Sequence, residues 1–233
     1  MIFLALNTYA QIPSWLEGFR DAVYGQDISI AASEAMFREA EHQAREGLTG
    51  AGLYTMLSRC EYFLGRVYQD HGRNSEAASH FETGITWAER SLAEAPSAGA
   101  HEILASHIGQ LCMIKSTLWV MTNGLKVEEN ARKAQALDSQ NAGAMYLLAS
   151  RWAFGPGMFG NPKRGITELQ AILNGQGELQ KDEYFNVYSA LGYAHMRLNQ
   201  NQEALTWVER SLTLYPTNKF ALDLKSQIEQ KRR

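Results

Sequence analysis

Gly155-Pro156-Gly157-Met158-Phe159-Gly160 satisfies the pattern G-x-G-x-x-G, in which glycines let a turn approach a pyrophosphate at a helix N-terminus. That chemistry needs a strand before the turn and an acidic residue about 20 positions on, inside a βαβ unit. Here the preceding segment, Ala142 to Phe154, reads as a helix, and Pro156 removes a backbone donor that would face phosphate. The stretch therefore reads as a widened turn, with Phe159 anchoring it to a neighbouring hairpin and Met158 and Phe159 placed to overhang a groove. His101, Glu102 and His107 are the residue types of a zinc site. A helical histidine pair needs i and i+4, and these two are six apart, on different faces. No Ser/His/Asp or Cys/His grouping is recognisable. We expect no catalytic residue, no metal ligand and no cofactor, and hence a protein that is not an enzyme.

The elements that would position a binding surface come from an imperfect repeat. Near the C-terminus the chain reads Tyr188-Ser189-Ala190-Leu191-Gly192-Tyr193-Ala194-His195, with Ala204 twelve residues after the glycine and Pro216 twenty-four after it. Upstream, Phe63-Leu64-Gly65-Arg66-Val67-Tyr68 is followed by Ala77 at the same distance and Phe81 four further on. This spacing marks a helix–turn–helix unit of about 34 residues that cannot bury its apolar face alone and must stack on its neighbours. Runs of alternating Val, Ile and Thr are missing, and Ala, Leu, Glu and Gln dominate. We expect an all-α fold, a right-handed α-solenoid of antiparallel helical hairpins.

Residues 1–57 read as an N-terminal segment with a degenerate hairpin, whose helices run from Trp15 to Tyr24 and from Ser33 to Leu48. Four repeats follow over 58–218, at approximately 58–96, 98–138, 142–174 and 185–218, and 219–233 is a capping helix. Ser75 is expected to cap the helix from Glu76 to Ala95. Gly109 takes the glycine position of its unit, and Ser116 to Lys126 reads as irregular. Cys60 and Cys112 fall on parallel first helices, offset by about 12 Å at 1.5 Å per residue. A disulfide needs Cα atoms within about 7 Å, so both read as buried small hydrophobes.

These features resemble the tetratricopeptide-repeat (TPR) proteins. The long helix after Ala77, the stretch Gly109-Gln110-Leu111-Cys112 and the loop Pro156…Phe159-Gly160-Asn161-Pro162-Lys163 resemble a bacterial subgroup of them. The resemblance implies export, and distant relatives act as periplasmic partners of substrate-binding-protein-dependent (TRAP-type) transporters.

In stacked hairpins the first helices line the concave face, and residues three before, one after and four after the glycine turn toward the groove. The candidate binding residues are Arg59, Tyr62, Arg66 and Gln69; Ser106 and Gln110; Tyr146 and Ser150; and Ser189, Tyr193 and Arg197. Tyrosine and arginine are favoured interface anchors. The expected function is non-catalytic binding of a protein or peptide on the concave face. The alternative is an accessory subunit of a solute-uptake system, touching a small ligand or the substrate-binding protein. Glu128-Glu129 reads as solvated surface.

Charge and hydropathy narrow the partners. With 22 basic and 25 acidic residues the 233-residue chain carries a formal charge of −3, and the basic residues are spread, which excludes an electrostatic footprint for nucleic acid. No apolar run is long enough to span a bilayer. Met1-Ile2-Phe3-Leu4-Ala5-Leu6 followed by Thr8-Tyr9-Ala10-Gln11 reads in two ways. It is the remnant of a signal peptide in a periplasmic or envelope protein, or a frayed segment in a cytoplasmic one.

Overall fold

The computed structural model describes residues 12–157, 160–175 and 179–231. Among them are twelve helices: α1 (Ser14–Gly25), α2 (Ile30–Gly47), α3 (Gly50–Asp70), α4 (Asn74–Glu94), α5 (Ala98–Ile114), α6 (Thr117–Asn123), α7 (Leu125–Leu137), α8 (Ala142–Phe154), α9 (Pro162–Leu173), α10 (Lys181–Arg197), α11 (Asn201–Leu214) and α12 (Lys219–Lys231). No described residue is in a strand, so the architecture is the expected all-α solenoid. None of the helices is long and apolar enough to cross a membrane.

Side chains at the helix starts set the phase of the hairpins. Ser29, Ser97, Asn141 and Asn161 each accept a hydrogen bond from the amide three residues on, which satisfies one of the donors a helix N-terminus leaves free. Pro162 then stands at the first position of α9, where its missing N–H costs nothing. Ser75 does not cap α4. The helix starts two residues earlier than expected, at Asn74 behind Arg73, with no side-chain cap. Gly72, at φ 75°, supplies the left-handed turn between α3 and α4 that a β-carbon would disfavour.

The hairpins are α1–α2, α3–α4, α5–α7, α8–α9 and α10–α11, each packed on the next, with α12 on the last. Gly65 marks the crossing of α3 and α4: a β-carbon there would lie 2.5 Å from Phe81 Cε1. Gly192 does the same for α10 and α11, facing Val208 and the carbonyl of Ala204. Gly109 does not sit at such a crossing. A β-carbon there would meet nothing within 4 Å, and the glycine lies on the cavity wall. The α6 segment is helical where irregular chain was expected, Ser116 accepting from the Trp119 amide at its start. It buries none of its residues, and Leu118 and Met121 are both exposed.

The first helices form a closed circuit. Contacts run from α1 to α3, α3 to α5, α5 to α8, α8 to α10, and from α10 back to α1. Tyr24 of α1 packs between Tyr215 and Phe185, with ring centroids 5.5 and 5.7 Å away. Asn218 Nδ2 donates to the Tyr24 carbonyl at 2.8 Å, and Thr217 Oγ1 to that of Gly25 at 2.6 Å. Asp21 accepts from Tyr215 at 2.8 Å, from Lys181 at 2.8 Å and from Arg20 at 3.0 Å. The concave face is thereby ringed by the inner helices.

Candidate functional site

The inner helices α1, α3, α5, α8 and α10 surround a cavity of about 1340 Å³, larger than the roughly 300–1,000 Å³ of ordinary small-molecule pockets. Arg59, Tyr62, Arg66 and Gln69 line it from α3, and Ser106 and Gln110 from α5. Tyr146 and Ser150 line it from α8, and Ser189 from α10. Two expected residues lie elsewhere. Tyr193 packs its ring on Phe154, with centroids 4.9 Å apart. Arg197 donates to the carbonyls of Ala153 and Gly155, at 2.9 and 2.6 Å. The helix α8 ends at Phe154 and leaves those carbonyls without helical partners. Arg197 is drawn to them and away from the cavity. The same bonds fix the start of the Gly-rich loop, and Gly155 and Pro156 line the cavity. Met158 and Phe159 lie outside the described residues.

The wall is built of tyrosines around one cation. Tyr62 Oη accepts from Gln110 Nε2 at 3.2 Å and from Arg66 Nη1 at 3.3 Å. The Arg66 guanidinium lies 5.6 Å from the Tyr24 ring and 5.9 Å from that of Tyr62, within the reach of cation–π attraction. No carboxylate of the described residues approaches it within 4.0 Å. The other cavity arginines are paired. Arg59 Nη2 donates to Glu102 Oε2 at 2.8 Å, and Arg151 to Glu128. Glu128 is thus part of the cavity wall, not simply solvated surface.

The start of α10 forms an acidic corner. Glu183 Oε2 accepts from the Gln180 amide at 2.8 Å, yet burial, with Asp182 and Glu102 nearby, pushes its pKa up to about 7. Burial also raises Asp182, with Arg20 opposing. Arg20 Nη1 stands 3.6 Å from Asp182 Oδ1, too far for a hydrogen bond. Three buried polar atoms of the lining lack a hydrogen-bond partner in the protein: Asp182 Oδ1, Arg59 Nε and Ser189 Oγ.

The two sequence-flagged histidines are held apart. His107 is fully buried, its Nε2 donating to the Ser58 carbonyl at 3.0 Å, and burial depresses its pKa to about 3. His101 bonds Asn130 at 2.9 Å. Both cysteines are free. Cys60 is buried, whereas Cys112 is half-buried on the cavity wall.

Sequence reasoning missed the contributions of Tyr24, Glu102, Asp182, Glu183 and Asn186 to the lining. Glu102 and Asn186 were within reach of the same counting rule, being one helical turn before Ser106 and three residues before Ser189. Tyr24 carried no such signal.

Residues 185–218, which hold most of α10 and all of α11, match the family model of the tetratricopeptide repeat. The fold is similar to the crystal structure of a thermophilic TPR protein in Thermus thermophilus. The TM-score is 0.55 at 14% identity, and the match covers 87% of this chain and 91% of that one. No curated protein matches the chain in sequence. The chain thus carries a tetratricopeptide repeat at residues 185–218 within an all-α fold similar to that of a TPR protein.

Proposed function

We propose that the protein is a non-catalytic binding protein that receives a small ligand or short peptide inside its ringed concave face. The ringed cavity carries this reading. An open solenoid offers its groove along its whole length to an extended partner segment, whereas here the seam between α1 and α10 closes the ring of inner helices around a cavity of about 1340 Å³. The buried lining atoms without protein partners favour a polar ligand, and the tyrosine wall favours one with an apolar body.

Gly109 offers a direct test. A β-carbon there meets nothing within 4 Å and the glycine lies on the cavity wall, so Gly109→Trp projects an indole into the cavity from an uncrowded position. Wild type and Gly109→Trp are incubated with the small-molecule fraction of a cell extract and compared by native mass spectrometry. Wild type should retain a species that the variant loses, at equal melting temperature. Equal retention by both, or partners of protein size alone, would overturn the reading.

The ringed cavity also favours a second, narrower reading: a periplasmic accessory subunit of a TRAP-type uptake system, holding a solute in transit. Co-purification with a substrate-binding protein encoded beside it tests that role, and its failure leaves the binding reading standing.

A further inference from the structure

The rim of the cavity at α6 is apolar and open to solvent. Met113, Leu118, Met121 and Leu125 are each 74–78% exposed, more than any other large apolar side chain of the described residues. Met113 and Leu125 line the cavity, as does Val120 of α6. Exposed apolar residues scattered singly need no explanation, whereas a concentration of them beside a cavity marks a binding surface. Gly124, between α6 and α7, is itself helical at φ −59° and ψ −32°, so the helical phase carries across the junction. Leu118, Met121 and Leu125, at i, i+3 and i+7, therefore share one face. They form an apolar stripe about 10 Å long at the helical rise.

The charges of the wall are matched by one another. Arg59 pairs with Glu102 at 2.8 Å, Arg151 with Glu128, and Arg20 stands against Asp182 at 3.6 Å. Arg66 feels the charge of Asp70 and rests against the rings of Tyr24 and Tyr62. An ionic ligand would have to displace one of these pairings and leave its partner uncompensated. What the wall keeps is hydrogen-bonding capacity. Ser189 Oγ and Arg59 Nε belong to residues 3% and 8% exposed, line the cavity and have no partner among the described residues. The hydroxyl can donate or accept and the Nε–H only donates, so a neutral hydroxyl or carbonyl oxygen satisfies either.

We infer that the cavity binds an uncharged amphiphile, a single aliphatic chain with a hydroxyl- or ester-bearing head. The head oxygens bond to Ser189 and Arg59, and the chain leaves over the apolar stripe of α6. This rests on the cavity reading above and adds the chemical class of the ligand. A fatty acid would bring an anion to a wall whose cations are already paired or stacked, and a sugar would leave the stripe bare.

The test is calorimetric titration, below micelle-forming concentrations, with monoacylglycerols of octanoyl, decanoyl and dodecanoyl chains. Dodecanoate and dodecylammonium supply the same chain with a charged head. The dodecanoyl glycerol should bind one per protein chain, at least tenfold tighter than the octanoyl ester and at least tenfold tighter than either ion. The double variant Met121→Gln, Leu125→Gln should lose the gain with chain length at unchanged melting temperature, since both side chains are exposed. Ser189→Ala should weaken every ester severalfold without altering that gain. Ions binding as tightly as the ester would overturn the inference. So would affinity indifferent to chain length, a double variant that binds like wild type, or no binding by any of the amphiphiles. In each of those events a small molecule from the extract that Gly109→Trp loses would still uphold the cavity reading.

Discussion

Tyr24 in α1 stacks on Tyr215, just past the end of α11, with ring centroids 5.5 Å apart and 27° between the ring planes. This contact joins the first described helix to the last repeat and completes the ring of helices around the cavity. Its polar half is Asp21, which takes charge-assisted hydrogen bonds from Lys181 and Arg20 and a third bond from Tyr215. Asp21→Ala should cost about 1–2 kcal/mol by urea denaturation, since the site is partly exposed. Burial acts to raise the Asp21 pKa, but its hydrogen bonds from Lys181, Tyr215 and Arg20 lower it below 3.8 overall. Its contribution is therefore present above that pH and lost as pH falls through the depressed value. A variant as stable as wild type at pH 7 would show that the aromatic contacts hold the seam unaided.

Overpacking tests the helix register. Gly192→Leu drives a side chain into Val208 and the Ala204 carbonyl and should lower stability by about 1–3 kcal/mol, despite the better helix propensity of leucine. Thermal unfolding of Gly192→Leu beside Gly109→Leu gives the contrast. The first should melt lower than wild type, and the second should not.

Two buried groups give stability opposite slopes with pH. Glu183 has a folded pKa of about 7 against an ordinary 4.5, so its contribution is full below 4.5 and lost as pH rises to about 7. Compared with wild type, Glu183→Gln should gain relative stability as pH rises across that window. His107 is held down to about 3 from 6.5. Here the unfolded chain takes up the proton first, and stability falls as pH drops from about 6.5 toward 3. His107→Gln should flatten that acid limb. Denaturation series at four pH values would show both trends, and parallel curves for wild type and Glu183→Gln would contradict the first.

Binding and stability should separate at Arg66 but not at Tyr62. Arg66→Ala should weaken ligand binding by about 1–2 kcal/mol with little change in melting temperature, because its one side-chain hydrogen bond among the described residues is to Tyr62. Tyr62 also packs on Phe81 and His107, with centroids 6.1 and 5.6 Å away, so Tyr62→Ala should lose both affinity and stability. On the outer surface, Glu82 and Glu209 hold ion pairs with Lys115 and Lys225, and changing either to alanine should leave both quantities nearly unaltered. Affinity comes from calorimetry and stability from thermal melts.

The repeat was legible in the sequence because a steric demand leaves a mark at a fixed position. Gly65 and Gly192 are glycines since Phe81 and Val208 occupy the space of a β-carbon, and counting from them brought Tyr62, Arg66 and Ser189 to the inner face. Counting failed where a neighbour interferes. Tyr193 obeys the same spacing and Arg197 flanks it, but the exposed end of α8 claims the arginine and Phe154 claims the ring. Gly109 was misassigned because a glycine on an open wall looks in sequence like one at a crossing. The seam was illegible altogether. Asp21 and Tyr24 meet Lys181 and Tyr215 across almost the whole chain, and a contact of that span leaves no local periodicity.

The join between α1 and α10 also fixes the copy number of the repeat. A linear array lengthens by duplicating a unit and remains soluble as long as its ends are capped. In a loop of five hairpins each unit contributes a share of the full rotation. A sixth would move Tyr24 away from Tyr215, and a deletion would drive them into collision. Duplication, the ordinary route by which such arrays diversify, is closed to this chain. Changes in what it holds must come from substitutions on the inner wall or from insertions between helices, as α6 already is.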